Sequence, residues 1–156
     1  MKSQSTTTRT ALLFLFILFV FYCYGAGMVD YFGVYESWKL VGENEFAVLH
    51  GFQGNRIVNI FVLPSAIMTI FNILVVIFPA PYVNKRLQWY ALIAYAFDWI
   101  FSFTMQIPIQ IELSQGKSMS LIDELLRTNW WRFAADTIQF LIVCLLFWKI
   151  LIRLKV

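Results

Sequence analysis

Residues 11–29 read ALLFLFILFVFYCYGAGMV and include no charged side chain. A helix of this length crosses the ~30 Å hydrocarbon core of a bilayer, which needs about 20 predominantly apolar residues. Three further apolar runs of similar length follow along the chain, at residues 57–78, 87–110 and 130–148. The sequence therefore predicts an all-α fold in which four helices span a membrane, with the lipid bilayer as the first partner of the chain.

The composition agrees with this prediction, and the length of the uncharged runs excludes a soluble globular protein. The chain has 156 residues, of which 60% are hydrophobic and only 13% are charged. Soluble helices carry a charged or polar face beside their apolar one, whereas the four runs contain only three charges, at Asp98, Arg132 and Asp136. We expect residues 1–156 to form a single transmembrane domain folded as a four-helix bundle. Pro64, inside the second run, is expected to kink that helix or loosen its hydrogen bonding.

The orientation is predicted from the basic residues, most of which fall on one side of the four spans. They precede the first span, occupy the second loop and follow the last span: Lys2, Arg9, Lys85, Arg86, Lys149, Arg153 and Lys155. The positive-inside rule then makes both termini cytoplasmic, in a multi-pass protein of the plasma (inner) membrane. The net charge of +3 is a topology signal, and no nucleic-acid partner is expected. A cleaved signal peptide is the alternative for the first run, because residues 25–27 are small.

Polar residues of the fourth span share one face of the helix. They follow each other at intervals of three, four and three residues: Asn129, Arg132, Asp136 and Gln139. A charge at the centre of a membrane helix costs ~2.5 to 3.5 kcal/mol on insertion scales, so this face is expected to point into the bundle. Arg132 and Asp136 are predicted to pair with each other at the i, i+4 spacing.

The third span offers a complementary face, with Asp98, Ser102, Gln106 and Gln110 recurring every four residues. Because spans three and four are antiparallel, Gln106 and Gln110 are expected at the depth of the polar start of span four. We therefore predict a polar pocket between spans three and four in the outer half of the membrane. Its predicted ligand-binding residues are Arg132, Asp136, Asn129, Gln106 and Gln110, with His50 of the first loop at the mouth.

Each of these residues also has a structural interpretation that the sequence leaves open. Arg132 and Asp136 could form an ion pair that only holds span four in the bundle. Asp98 lies near the predicted midplane with no basic residue at its level in another span, so it is either a structural hydrogen-bonding group or a proton-linked one. His50 is either a surface residue or a proton-transfer group above the pocket.

Several chemistries find no support in the sequence. A single histidine cannot supply a multi-histidine metal site or two haem ligands. The two cysteines, Cys23 and Cys144, lie too far apart in the predicted topology to share a cluster. There is no glycine-rich phosphate loop and no nucleophile elbow. We predict neither a metal nor a cofactor, and no catalytic residue can be assigned from the sequence.

Two short motifs carry a family resemblance. Residues 104–108, TMQIP, are followed by Leu113 and by TNWWR at residues 128–132, and His50 lies at a similar spacing before Pro64. From about Tyr24 onward the chain resembles a broad bacterial family of four-span membrane proteins of unknown function related to anthrone oxygenases. The resemblance implies a four-helix bundle with a pocket for a small aromatic or quinone-like molecule, and cofactor-independent action.

The chain departs from that family pattern at three positions. Gln110 stands where the family is expected to have a histidine, and Asp136 and Gln139 stand where an aromatic residue and a second arginine would follow. Two functions therefore remain in view. The first is a membrane protein that binds a small hydrophobic ligand, with or without transforming it. The alternative is a non-catalytic accessory or scaffold subunit of a larger membrane-protein complex, and transport is the weaker third possibility because the chain has no internal repeat.

Overall fold

Four long helices account for most of the chain. The computed structural model describes residues 2–81 and 83–154, and the side chains of residues 6–81 and 83–153. Within that part of the chain there is no β-strand. Each helix is long and apolar enough to cross a membrane. Of the predicted topology determinants, Lys155 lies outside the described residues.

Three of the helices are made of segments that continue one another. Helix α1 runs from Lys2–Val29 through a π-helical turn, Asp30–Val34, into a 3-10 turn, Glu36–Leu40. Helix α2 consists of Glu43–Ile57, a π-helical turn Val58–Val62, and Leu63–Ile77. Helix α3 consists of Lys85–Phe101, a π-helical turn Ser102–Gln106, and Ile107–Leu113. Helix α4 is a single helix, Met119–Leu154.

Pairs of contacts show that α1 runs antiparallel to its neighbours. Phe19 of α1 packs on Phe71 of α2, whereas Tyr22, later in α1, bonds the main-chain oxygen of Ile60, earlier in α2. The contacts of α1 with α4 follow the same order: Tyr24 with Phe140, then Tyr31 with Asp136. Helix α3 packs between α2 and α4, with many contacts to α4. The bundle therefore has a terminal end, where α1 begins and α4 ends, and a loop end, which carries the first and third connections.

The interior consists of two apolar cores separated by polar residues. The core nearer the terminal end includes Phe16, Val20, Met68, Val75, Val143 and Leu146. The core at the loop end is built from Tyr35, Trp38, Phe46, Ile109, Leu113, Ile122 and Leu125. Between them lie the buried polar side chains that we call the polar layer: Asp30, Asp98, Gln106, Arg132 and Asp136. Apolar, uncharged cores lie on both sides of the polar layer, which is therefore the place where specific chemistry can occur.

The three π-helical turns lie beside the polar layer, one each in α1, α2 and α3. A π-helical turn inserts one residue and widens the helix, and such turns are frequent at functional sites. Two of the turns precede prolines, Pro64 and Pro108. Proline has no N–H to donate and its ring collides with the carbonyl four residues earlier. The loosening expected at Pro64 thus takes the form of the π-helical turn Val58–Val62.

Candidate functional site

Arg132 is paired with Asp98 across the interface between α4 and α3. Its Nε donates to Asp98 Oδ1 over 3.1 Å, and both residues are buried, at 6% and 2% exposure. The sequence analysis predicted instead that Arg132 would pair with Asp136 and that Asp98 would have no base at its level. Both predictions are wrong, because a group on a neighbouring helix reaches the guanidinium better than a group on the same helix.

The reason lies in the length of the helical hairpin. The prediction aligned α3 and α4 from the estimated membrane boundaries, residues 110 and 130. In the structure the helices continue on both sides to Leu113 and Met119. Counting outward from this short connection brings residue 98 opposite residue 132 and residue 106 opposite residue 128. Gln106 Nε2 accordingly donates to Thr128 Oγ1 over 2.8 Å.

Asp136 is held by α1 rather than by Arg132. The Tyr31 hydroxyl donates to Asp136 Oδ2 over 2.6 Å. The guanidinium carbon of Arg132 lies 5.5 Å from the centroid of the Tyr31 ring and 6.0 Å from that of Phe61. Such distances permit a cation–π attraction. Tyr31 therefore connects Arg132 and Asp136, the two buried charged residues described in α4, through its hydroxyl and its ring face.

A cavity of about 280 Å³ lies between α2 and α3 and reaches this ion pair. Its deep end is polar, with Asp30, Asp98 and Arg132. Its loop end is lined by Trp38, His50 and Gln110. The walls between these ends are largely apolar and aromatic, and include Ile57, Phe61, Trp99 and Ile107. The pocket was expected between spans three and four, but this cavity lies on the other side of α3, and Arg132 is the α4 residue that reaches it.

Asp30 is the most unusual residue of the cavity wall. It is 1% exposed and lines the cavity. The Tyr35 hydroxyl is the hydrogen-bonding group beside it, and the positive charge of Arg132 also acts on its carboxyl. Carboxyl groups are rarely buried this completely, and this one adds a second acidic group to the deep end of the cavity.

His50 joins α2 to α3 at the loop end of the cavity. Its Nε2 lies 2.7 Å from Gln110 Oε1. Because an amide oxygen only accepts, Nε2 is the donor, which leaves Nδ1 as an acceptor in the neutral ring. The ring packs against Trp38 and Phe46, at centroid distances of 4.9 and 5.6 Å. His50 is therefore a buried helix residue, and the hydrogen bond to Gln110 closes one end of the cavity.

The structure divides the predicted site residues into two groups. Five of them line the same cavity: Arg132, Asp98, Gln106, Gln110 and His50. Asp136 and Asn129 do not line it. Asp136 instead borders a void of about 10 Å³ next to Cys23, and Asn129 lines a surface groove beside Trp130.

The sequence analysis missed the contribution of Asp30 and Trp38 at the end of α1. Both line the cavity, as does Tyr35. Asp30 and Trp38 were assigned to the first loop, because the apolar run ends at residue 29. The available signal was the helical spacing of the aromatic residues at 31, 35 and 38, which continues past residue 29. The face of α2 that carries Gly54, Val58 and Ser65 was also missed, and it has no polar or charged motif.

No protein-family model, no curated protein and no solved structure matches this chain. The resemblance to the anthrone-oxygenase-like family stays a prediction from the two short motifs.

Proposed function

We propose that this protein binds a small hydrophobic molecule of aromatic or quinone type in the cavity between α2 and α3. The observation that carries the proposal is a buried guanidinium at the deep end of a largely apolar cavity. Arg132 donates to Asp98 through Nε, and the Tyr35 hydroxyl also lies beside the guanidinium. The guanidinium has four further N–H donors on its two Nη atoms, more than these neighbours engage, so it can donate to a carbonyl oxygen in the cavity.

The electrostatics favour a neutral ligand over a carboxylate. The guanidinium charge is balanced by Asp98 at 3.1 Å, and a second carboxyl, that of Asp30, also faces the cavity. An added anion would meet both carboxyl groups in a site with little water, where charge interactions are strong. A quinone or ketone oxygen accepts hydrogen bonds from Arg132 without that repulsion.

The size and the walls favour a flat head group. A dry cavity of about 150 Å³ holds one benzene ring, so a volume of about 280 Å³ suits one or two rings. Phe61 and Trp99 provide aromatic surface against which such a ring can stack. At the opposite end the Gln110 Nε2, whose amide oxygen is engaged by His50, offers a donor to a second oxygen of the ligand.

The test is quinone binding by the purified protein in detergent, measured as the quenching of Trp38 and Trp99 fluorescence. We expect a tailless benzoquinone to bind the wild type, and Arg132→Lys to weaken binding at least tenfold, because lysine keeps the charge beside Asp98 but loses the planar Nη donors. Arg127→Gln is the matched control, since Arg127 is exposed on the same helix. Saturable binding that Arg132→Lys leaves unchanged contradicts the proposal. Absence of binding together with a stoichiometric protein partner favours the accessory-subunit alternative.

We also propose that the chain lies in the plasma (inner) membrane with both termini cytoplasmic, as a relative of the anthrone-oxygenase-like family. The support is the bias of lysine and arginine toward the terminal end. Reporter fusions test it: a fluorescent protein at the C-terminus is expected to fold and emit. A periplasmic phosphatase inserted after Ser114 is expected to be active, and the opposite pattern overturns the orientation.

A further inference from the structure

We infer that the cavity opens sideways to the lipid between α2 and α3, and that the ligand is a lipid-soluble molecule whose hydrocarbon tail leaves through this opening. The inference rests on the proposed function and adds the class of ligand and its route. It predicts a carbonyl-bearing ring inside the bundle and an alkyl or isoprenoid chain along its outer surface.

The residues on the rim of the cavity place the opening. Val58, Val62 and Ile107 line the cavity but remain 52%, 39% and 41% exposed. A side chain that belongs both to the cavity wall and to the outer surface lies where the cavity meets that surface. All three are apolar and lie within helices long enough to span a membrane. The opening therefore faces acyl chains.

Gly54 extends the same rim toward the loop end. Residues 54, 58 and 62 are one turn apart and share a face of α2. A Cβ added at Gly54 would meet no atom within 4 Å, so the space beside it is open. Gly51 also faces open space, but it does not line the cavity. The chain thus provides a matched pair of glycines, one beside the opening and one away from it.

The backbone on both sides of the opening is irregular. The π-helical turns Val58–Val62 and Ser102–Gln106 face each other across the cavity. Inside a membrane, irregular backbone is tolerated where it is buried or lines a cavity. Because both turns widen their helices at the same level, they keep α2 and α3 apart there.

Access from the loop end is closed by packed side chains. Trp38 donates through Nε1 to Gln53 Oε1 over 2.6 Å, and the bond between His50 and Gln110 lies beside it. Above them Lys117 Nζ donates to the main-chain oxygens of Lys39, over 3.0 Å, and Val41, over 2.5 Å. A ligand therefore reaches Arg132 more easily from the lipid than from water.

The volume of the cavity argues that the tail stays outside. A space of about 280 Å³ is filled by a one- or two-ring head group. A chain of ten or more carbons exceeds what is left, whereas the surface beyond Val58 and Ile107 is apolar and lies against lipid. The head group is thus expected to lie inside, and the tail in the bilayer.

The experiment compares two probes in lipid nanodiscs: a methoxy-substituted benzoquinone without a tail, and the same ring with a decyl chain. Gly54→Leu is expected to weaken binding of the decyl compound at least tenfold and that of the bare ring less than threefold. Gly51→Leu should change neither. Ile107→Phe blocks the opposite rim and should act like Gly54→Leu. Ile111→Phe, at an exposed position on the same helix, is the control for Ile107→Phe.

Each outcome decides between the proposals. If the bare ring fails to bind the wild type, the proposed function itself fails. If the bare ring binds and the rim variants weaken both probes equally, or weaken neither, the function stands and the lateral opening is wrong. The lateral opening is also wrong if the decyl compound does not bind the wild type. Melting temperatures of the four variants within a few degrees of wild type show that folding does not explain the differences.

Discussion

At the scale of single residues, the buried charges of α3 and α4 are each held by a group from another helix. Arg132 of α4 binds Asp98 of α3, and Asp136 of α4 accepts a hydrogen bond from Tyr31 of α1. These polar pairs thus hold α4 against both α1 and α3. They do so more specifically than apolar contacts between helices alone. The same pairs keep the Arg132 guanidinium fixed at the deep end of the cavity.

Removing one member of the Arg132–Asp98 pair is expected to cost more than removing both. Arg132→Gln leaves Asp98 buried without its base, and Asp98→Asn leaves the guanidinium without its acid, each at a cost of about 3 kcal/mol of unfolding free energy. In the double variant two amides replace the pair, and we expect it to be no less stable than either single variant. Denaturation of the detergent-solubilised protein measures the cycle, and additive losses would argue against a direct interaction.

The residue scale also shows what the sequence could and could not predict. The four-span fold follows from runs of apolar residues, and the structure confirms four helices long and apolar enough to cross a membrane. Arg132, Gln106 and Gln110 were identified because a polar group inside an apolar run is costly and conspicuous, and His50 because it is the single histidine of the chain. The pairing of Arg132 with Asp98 was missed because it depends on where a helical hairpin turns, and an apolar run marks the membrane boundary but not the end of the helix.

At the scale of the helices, the π-helical turn before Pro64 is stabilised from outside α2. Pro64 cannot donate to the carbonyl of Ile60, four residues earlier. The Tyr22 hydroxyl of α1 donates to that oxygen over 2.7 Å. One side chain thus satisfies a backbone acceptor which, inside a membrane, has no water to replace the missing donor.

This arrangement predicts a coupling between Tyr22 and Pro64. Tyr22→Phe removes this donor to the Ile60 carbonyl and should lower the unfolding free energy by about 1 kcal/mol. In a Pro64→Ala background the residue at 64 has an N–H of its own, so the further change of Tyr22→Phe should cost less than half as much. Unfolding of the four proteins in detergent checks this. Equal effects of Tyr22→Phe in both backgrounds would show that the hydroxyl serves another purpose.

At the scale of the whole molecule, two apolar cores enclose the polar layer from opposite ends. The terminal-end core contains Leu146, which is 1% exposed, and the loop-end core contains Phe46, which is fully buried. Both cores reach the cavity, the terminal-end core through Phe61 and Tyr95 and the loop-end core through Tyr35 and Trp38. Leu146 does not line the cavity, whereas Phe46 packs on both Trp38 and His50. Leu146 thus holds the helices together away from the site, and Phe46 also shapes the site.

Truncation of one residue in each core separates these duties. Leu146→Ala and Phe46→Ala should each destabilise the bundle by about 2 kcal/mol, because in a bilayer the cavity left behind costs energy while the transfer from water contributes little. Only Phe46→Ala should also weaken quinone binding, by five- to tenfold, since Trp38 and His50 lose the ring that fixes them at the end of the cavity. Melting temperature and tryptophan quenching measured on the same samples give both quantities. A parallel loss of binding in Leu146→Ala would mean that the site responds to the stability of the whole bundle, and the division of the interior into two independent cores would then be wrong.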